Sequence, residues 1–155
     1  MALRDQATRQ SSKSGMGITL QRFFMHVHIF FYQRTGGVIG SNLGRPMLLL
    51  ITIGRKSGQE RITPIFYFPY EDRFVLIASN GGASQHPQWW FNLQVHSEAK
   101  VQIGRHIIAV TARQAAGEER QHLWALITSK YPEFTTYQKR TTREIPVVIL
   151  TPHQS

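Results

Sequence analysis

The 155-residue chain contains no cysteine. That removes disulfides, thiolate zinc sites, cysteine-ligated iron–sulfur clusters and a cysteine nucleophile, and a reducing compartment suits such a chain. Acids are scarce too: nine Asp and Glu stand against eighteen Lys and Arg, giving a formal charge of +9 with only 17% of residues charged. The excess comes from missing acids rather than from basic tracts. It points to an anionic partner, whether nucleic acid, an acidic membrane surface, or a phosphate- or carboxylate-bearing ligand. No apolar run approaches the roughly 20 residues that span a bilayer. The N-terminus lacks the progression of a secretory leader, so the expectation is a cytoplasmic protein. There is no GxSxG elbow, HExxH pair or Rossmann fingerprint, no repeat and no low-complexity tract. The seven histidines show no ligand spacing; His26 and His28 would diverge by about 200° on one helix, and no metal is expected.

What is present fits one domain, with 41% apolar residues for a single core. Residues 1–17 are polar and net basic and read as a flexible arm. Over 18–35, Leu20, Phe23, Phe24, Val27, Phe30 and Phe31 recur at helical spacing, and Gly36-Gly37 ends the run. That amphipathic helix either packs on the core of its own domain or, with its four Phe and flanking Arg22 and Arg34, lies on a membrane surface. Strands are expected at 46–53, 61–68, 73–78, 100–103, 106–112 and 146–150, the fourth and fifth forming a hairpin around Gly104-Arg105. Helices are expected at 87–93, with Pro87 in the first turn, and at 117–130, with acids at its start and Lys130 at its end. Short strands without regular strand–helix alternation argue against a doubly wound parallel sheet and for a small antiparallel barrel with flanking helices, a mainly-β α+β fold.

Three segments carry chemistry. Gly54-Arg55-Lys56-Ser57-Gly58, with Arg61 close behind, combines a tight turn, a hydroxyl and three cations; it is either a solvated hairpin turn or a cradle for phosphate or carboxylate, and it is not a P-loop. Ser79-Asn80-Gly81-Gly82, followed by Pro87, Trp89, Trp90 and Asn92, either closes a loop over core tryptophans or lets backbone and indole approach a planar ligand. Tyr131, Phe134 and Tyr137, if helical, form an aromatic row with two phenols, either a core stripe or a wall over a ligand; Arg140 and Arg143 follow.

In order, TIGRKSGQERITPIFY, IASNGGASQHPQWWFNL and KYPEFTTYQKRTTREIPVVIL resemble the deazaflavin-dependent nitroreductases, also described as deazaflavin-dependent quinone reductases. The resemblance spans about residues 43–152. It implies a split β-barrel of the flavin-binding type and a reduced 8-hydroxy-5-deazaflavin coenzyme with a polyanionic phospholactyl-oligoglutamate tail, FMN being the lesser candidate. By position, it assigns Arg55, Lys56, Ser57 and Arg61 to the tail, and Thr63, Pro64, Ile65 and Phe66 to the strand beside the ring. Ile77, Ala78, Ser79 and Asn80 fall on the second ring-side segment, and Gln88, Trp89, Trp90, Phe91 and Asn92 on the tryptophan segment. Substrate contacts fall on Ser79, Tyr131, Phe134 and Tyr137. Phe134 departs from a family tyrosine and Asn80 from a lysine of some relatives.

The implied reaction is hydride transfer from the reduced coenzyme to a quinone or another electron-poor acceptor such as a nitroaromatic, with position and electrostatics supplied by the protein. Ser79, Tyr131 or Tyr137 would stabilise or protonate the reduced oxygen, or solvent would deliver that proton. A lipid-soluble quinone would give the N-terminal helix a place at the inner face of the plasma membrane. The alternative from another class is a non-catalytic carrier of deazaflavin or FMN on the same fold. Nucleic-acid binding is disfavoured, because the cations lie in a turn rather than along a groove-length stripe. Monomer and homodimer both remain open.

Overall fold

The structure, a computed structural model, describes residues 45–154; the arm and helix expected over 1–17 and 18–35 lie outside them. Chain order is β1 (Met47–Ile53), β2 (Glu60–Phe66), β3 (Phe68–Tyr70), β4 (Arg73–Ile77), a 3-10 turn (Asn80–Gly82), α1 (Gln88–Val95), β5 (Glu98–Ile103), β6 (His106–Gln114), α2 (Gly117–Lys130), α3 (Glu133–Lys139) and β7 (Val147–Pro152). All seven strands join one antiparallel sheet in the order β2-β1-β5-β6-β7-β4-β3.

The run expected as one strand over 61–68 is two. β2 ends at Phe66 and β3 begins at Phe68, yet these are the two edges of the sheet. In a flat seven-stranded sheet the edges would stand about 29 Å apart, six spacings of about 4.8 Å. With Tyr67 alone between them they lie within about 8 Å at that corner. The sheet must therefore curl into a half-barrel whose two edge strands are joined by Tyr67, whose N–H extends the β1–β2 pairing by donating to Pro46 O at 3.1 Å. Pro64 sits opposite Leu49 without breaking the pairing, because an edge strand has one side that needs no ladder donors.

Alternation along the central strands builds two cores. On β4 and β7, Leu76, Val148 and Leu150 face the first core, with Ala78 just beyond β4; Val75, Ile77, Val147 and Ile149 face the second. Trp89, Trp90 and Leu93 of α1 cover the first, while Leu123 and Ile127 of α2 and Phe134 of α3 cover the second. Each such buried side chain stabilises the fold by about 1.5–3 kcal/mol. Helix α2 has the expected bounds, with Glu118 and Glu119 in its first turn and Lys130 in its last, as the helix dipole favours. Pro87 stands at the N-cap of α1 rather than inside its first turn. The β5–β6 hairpin reverses at Gly104, with φ of 60°, as expected, and both strands run two residues further at its open end, β5 from Glu98 and β6 to Gln114. No helix among the described residues is long and apolar enough to cross a membrane.

Candidate functional site

The loop after β1 is a tight turn docked on α1. Gly54 N–H donates to Gln59 O at 2.8 Å and Gly58 N–H to Gly54 O at 2.8 Å. A Cβ on Gly54 would come 2.7 Å from Ser57 Oγ, so no larger residue fits without displacing that hydroxyl. Ser57 Oγ accepts from Gln59 N–H at 3.2 Å and from Arg61 Nη2 at 3.3 Å, drawing Arg61 back over the turn. Arg55 reaches across to α1: its backbone N–H and Nη1 donate to Asn92 Oδ1 at 3.2 and 3.0 Å, and Nη2 donates to Gln88 Oε1 at 2.8 Å. Asn92 is buried and donates through Nδ2 to the fully buried Thr52 Oγ1 at 3.3 Å. The guanidinium lies 5.0 Å from the centroid of Phe91, a cation–π distance.

Phe91 meets His86 edge-on at 5.6 Å, and His86 leads to the second loop. There Asn80, Gly81 and Gly82 take φ of 47°, 64° and 81°. Gly82 is required, since a Cβ would lie 2.6 Å from Tyr137 O. Arg143 makes most of the side-chain bonds to this segment. Arg143 donates Nη1 to Ala78 O at 3.3 Å, Nη2 to Ser79 O at 2.7 Å and Nε to Ala83 O at 2.9 Å, and Nη1 lies 2.9 Å from His86 Nδ1. Arginine can only donate, so Nδ1 accepts and a neutral His86 carries its proton on Nε2. Burial, and then the charge of Arg143, hold His86 below the ordinary histidine value. Burial likewise lowers Arg143. Arg140 adds a bond from Nη1 to Gly81 O at 3.3 Å.

Charge separates these residues from the rest of the surface. Elsewhere cations carry carboxylates: Arg45 with Glu133, Arg73 with Glu71, Lys100 with Glu60, Arg113 with Glu119 and Arg120 with Glu144. Arg55, Lys56, Arg61, Arg140 and Arg143 have no carboxylate partner among the described residues; the groups that Arg55, Arg61, Arg140 and Arg143 donate to are amides, a hydroxyl, carbonyls and an imidazole. Arg105, Lys130 and Lys139 also lack one; all three are exposed, and Lys139 is the neighbour of Arg140. Arg55 and Arg143 are joined through Phe91 and His86, with Lys56 and Arg61 beside Arg55 and Arg140 bonded to the second loop; Arg55, Lys56 and Arg61 make a surface suited to a polyanion.

The aromatic row lies along the second core. Tyr131 meets Phe68 at 5.2 Å, and Phe134 meets Phe68 at 5.7 Å and Tyr137 at 5.8 Å. Phe134 is buried, whereas Tyr131 and Tyr137 keep partly exposed rings. At one end, Arg45 stacks 4.1 Å from the Tyr131 centroid and 5.7 Å from that of Phe66. At the other end, Tyr137 abuts the Gly82 turn beside Ser79.

The structure thus joins Arg55, Gln88, Phe91 and Asn92 directly, brings Ser57 to Arg61, and sets Tyr137 against the loop carrying Ser79 and Asn80. Lys56 is exposed on the same turn. Thr63, Pro64, Ile65 and Phe66 line the partly exposed edge strand, Ile65 leaning on the first core. Trp89 and Trp90 place their side chains in the first core together with Ala78, while Ile77 points into the second. His86, Arg143 and Thr52 are the site residues that the sequence did not single out for a role. The only signal for the first two was an otherwise idle histidine beside Pro87 and an arginine following the aromatic row.

Two cavities open elsewhere, of about 470 Å³ along Gln114, Gly117, Arg120 and Glu144, and about 280 Å³ along Ile51, Glu60, Glu98, Lys100 and His153. Their charges are paired internally, Arg120 with Glu144, Lys100 with Glu60 and His153 with Glu98. Volume alone therefore does not outweigh the uncompensated cations as a sign of a ligand site. No group of His, Asp or Glu among the described residues is arranged to hold a metal ion.

Comparison with known proteins follows the same segments. The family model for F420H(2)-dependent quinone reductase matches residues 24–152. An F420H(2)-dependent quinone reductase of Mycobacterium tuberculosis is 34% identical over 132 residues, 82% of this chain and 89% of the relative. Among solved structures, an F420-H2 dependent reductase, FDR-A, superposes with a TM-score of 0.62 at 39% identity, covering 68% of this chain and 94% of the other. A second, described as a domain-swapped dimer, superposes at 0.64 with 36% identity, covering 85% and 98%.

Proposed function

Because the chain belongs to the F420H(2)-dependent quinone reductase family, we propose that the uncompensated cations of the β1–β2 turn and the start of β2, Arg55, Lys56 and Arg61, receive the anionic tail of a reduced deazaflavin coenzyme for the reduction of a quinone. When bound, that coenzyme supplies the hydride. The observation that carries the reading is the set of Arg55, Lys56 and Arg61, none with a carboxylate partner among the described residues, on the turn that docks on α1 through Arg55.

Arg55, Lys56, Ser57 and Arg61 hold the anionic tail. Arg55 arrives preorganised by Gln88 and Asn92, so little side-chain freedom is lost on binding. Thr63 to Phe66 on β2, Ile77 to Asn80 after β4, and the segment from Gln88 to Asn92 flank the ring system, with Trp89 and Trp90 acting from the core as its backing. The acceptor lies along Tyr131, Phe134 and Tyr137, with Ser79 facing its oxygen. A hydroxyl from Ser79, Tyr131 or Tyr137 donates to the oxygen on which negative charge develops, or water does. Nitroaromatic compounds are a further acceptor class for the same pocket.

Stopped-flow absorbance with reduced coenzyme and menadione tests the reading: oxidation within the enzyme-bound complex is expected, and tight binding without oxidation would favour a carrier. The N-terminal stretch 18–35, basic and Phe-rich, supports a cytoplasmic enzyme resting on the inner face of the plasma membrane. Deletion of residues 1–34 should then abolish partitioning onto anionic liposomes, and unchanged partitioning sinks that placement. The domain-swapped dimer among related structures favours a homodimer, which sedimentation of the full chain checks.

A further inference from the structure

We propose that Arg143 is a positioning residue for the reaction: its single guanidinium locks the loop of residues 78–86 onto the segment that follows the aromatic helix, fixing Ser79 relative to Tyr137. The inference rests on the function proposed above and adds to it a residue that touches neither the reacting atoms nor the tail.

Four observations carry it. First, four of the fork's five N–H donors are engaged: three carbonyls, of Ala78, Ser79 and Ala83, and His86 Nδ1 all lie within 2.7–3.3 Å of its nitrogens. A planar guanidinium can satisfy acceptors spread in this way, while a lysine ammonium presents its donors from one point. Second, the loop needs an external hold. Asn80, Gly81 and Gly82 are consecutive residues with positive φ, and the non-glycine among them occupies a region that L-residues visit at a cost. Third, the backbone of Arg143 is itself anchored to α3. Gln138 Nε2 donates to Arg143 O at 2.7 Å, and Gln138 Oε1 accepts from Ile145 N–H at 2.9 Å. Gln138 is the neighbour of Tyr137, so one chain of bonds runs from the aromatic helix to the carbonyl of Ser79. Fourth, Arg143 has no carboxylate partner among the described residues; its side-chain bonds go to the loop and to His86. That pattern differs from the surface ion pairs of Arg73 and Arg113.

The consequence is geometric. If the loop moves by about 1 Å relative to the row, the acceptor and the hydroxyl that meets it lose register, and a displacement of that size costs about 100-fold in rate.

The test uses the full chain as wild type, Arg143→Lys and Arg143→Ala. In the ligand-free protein, hydrogen exchange of the amides in 79–86 is expected to be faster by about tenfold or more in Arg143→Lys. The NMR titration midpoint of His86 should move up toward the ordinary histidine value in Arg143→Ala. With coenzyme and menadione, kcat should fall about 100-fold in Arg143→Ala. The coenzyme Kd should stay within about threefold, because the tail cations are untouched. Added methylguanidinium should restore part of the lost kcat. Arg143→Lys retains the charge and is read alone if Arg143→Ala does not fold. Wild-type exchange and wild-type kcat in Arg143→Lys would overturn the inference. So would a weakened coenzyme Kd with kcat unchanged, which would make Arg143 a tail contact. A wild-type protein that neither binds nor oxidises the coenzyme overturns the functional reading and with it the role in the reaction. The exchange data on the ligand-free protein then still decide whether Arg143 locks the loop.

Discussion

Asn92 offers the sharpest separation between folding and ligand recognition. Its amide is buried, with Oδ1 taking two bonds from Arg55 and Nδ2 giving one to Thr52 Oγ1. Asn92→Ala leaves the fully buried Thr52 hydroxyl and the Arg55 backbone N–H without their partner. At about 1–3 kcal/mol for the buried Thr52 hydroxyl and about 1 kcal/mol for the half-buried Arg55 N–H, the expected loss is about 2–4 kcal/mol. For a chain of this size that corresponds to a fall in Tm of roughly 6–12 °C. Asn92→Asp keeps the acceptors for Arg55, and the Thr52 hydroxyl can turn to donate to the carboxylate, so thermal stability should stay close to wild type. The new charge, however, neutralises Arg55. A charge pair near the surface is worth about 1–2 kcal/mol after solvent screening, so coenzyme affinity should fall by about 5–30-fold. Differential scanning calorimetry and isothermal titration on the three proteins read the two effects separately. If Asn92→Asp bound coenzyme as tightly as wild type while folding normally, Arg55 would not meet the anionic tail.

Three further outcomes are expected. Gly82→Ala should destabilise by about 2–4 kcal/mol in chemical denaturation, since φ of 81° and a contact of 2.6 Å to Tyr137 O both oppose it; Gly58→Ala, at φ of 68° in open space, should cost only about 1 kcal/mol. Phe134→Ala should cost about 3–5 kcal/mol by emptying the contact between Phe68 and Tyr137, and an effect on turnover without loss of stability would place that ring in the pocket rather than in the core. His86 has a folded-state pKa below its ordinary 6.5, so the folded state binds fewer protons than the unfolded one. Its contribution to stability is present above that value and lost as pH falls through the folded-state pKa; His86→Gln should flatten urea midpoints across that acid window.

The strands were legible where apolar runs are bounded by turn residues, as at β1 and β7, and the turn at 54–58 was legible because two glycines and a serine sit within five positions. The break at Tyr67 was not. Residues 61–68 carry one continuous strand-like pattern, and only the return of the chain to the opposite sheet edge splits it. Two-sided burial of β4 was equally hidden, because a short apolar run looks the same whether one face or both are covered. The row at 131, 134 and 137 was recognisable, but its division into a buried Phe134 and two half-open tyrosines depends on how α3 meets β3. Asn92 with Thr52, and Arg143 with loop 78–86, pair residues some forty to sixty-five positions apart. Local pattern holds no trace of such pairs.

The central claim, that uncompensated cations on this face receive a deazaflavin coenzyme, is tested most directly by calorimetric titration of the full chain with that coenzyme and with FMN side by side, in wild type and Lys56→Ala. Exothermic, salt-sensitive binding of the deazaflavin is predicted, stronger than that of FMN and weakened several-fold by Lys56→Ala. Absence of binding by either ligand, or deazaflavin binding indifferent to salt and to Lys56, would contradict it.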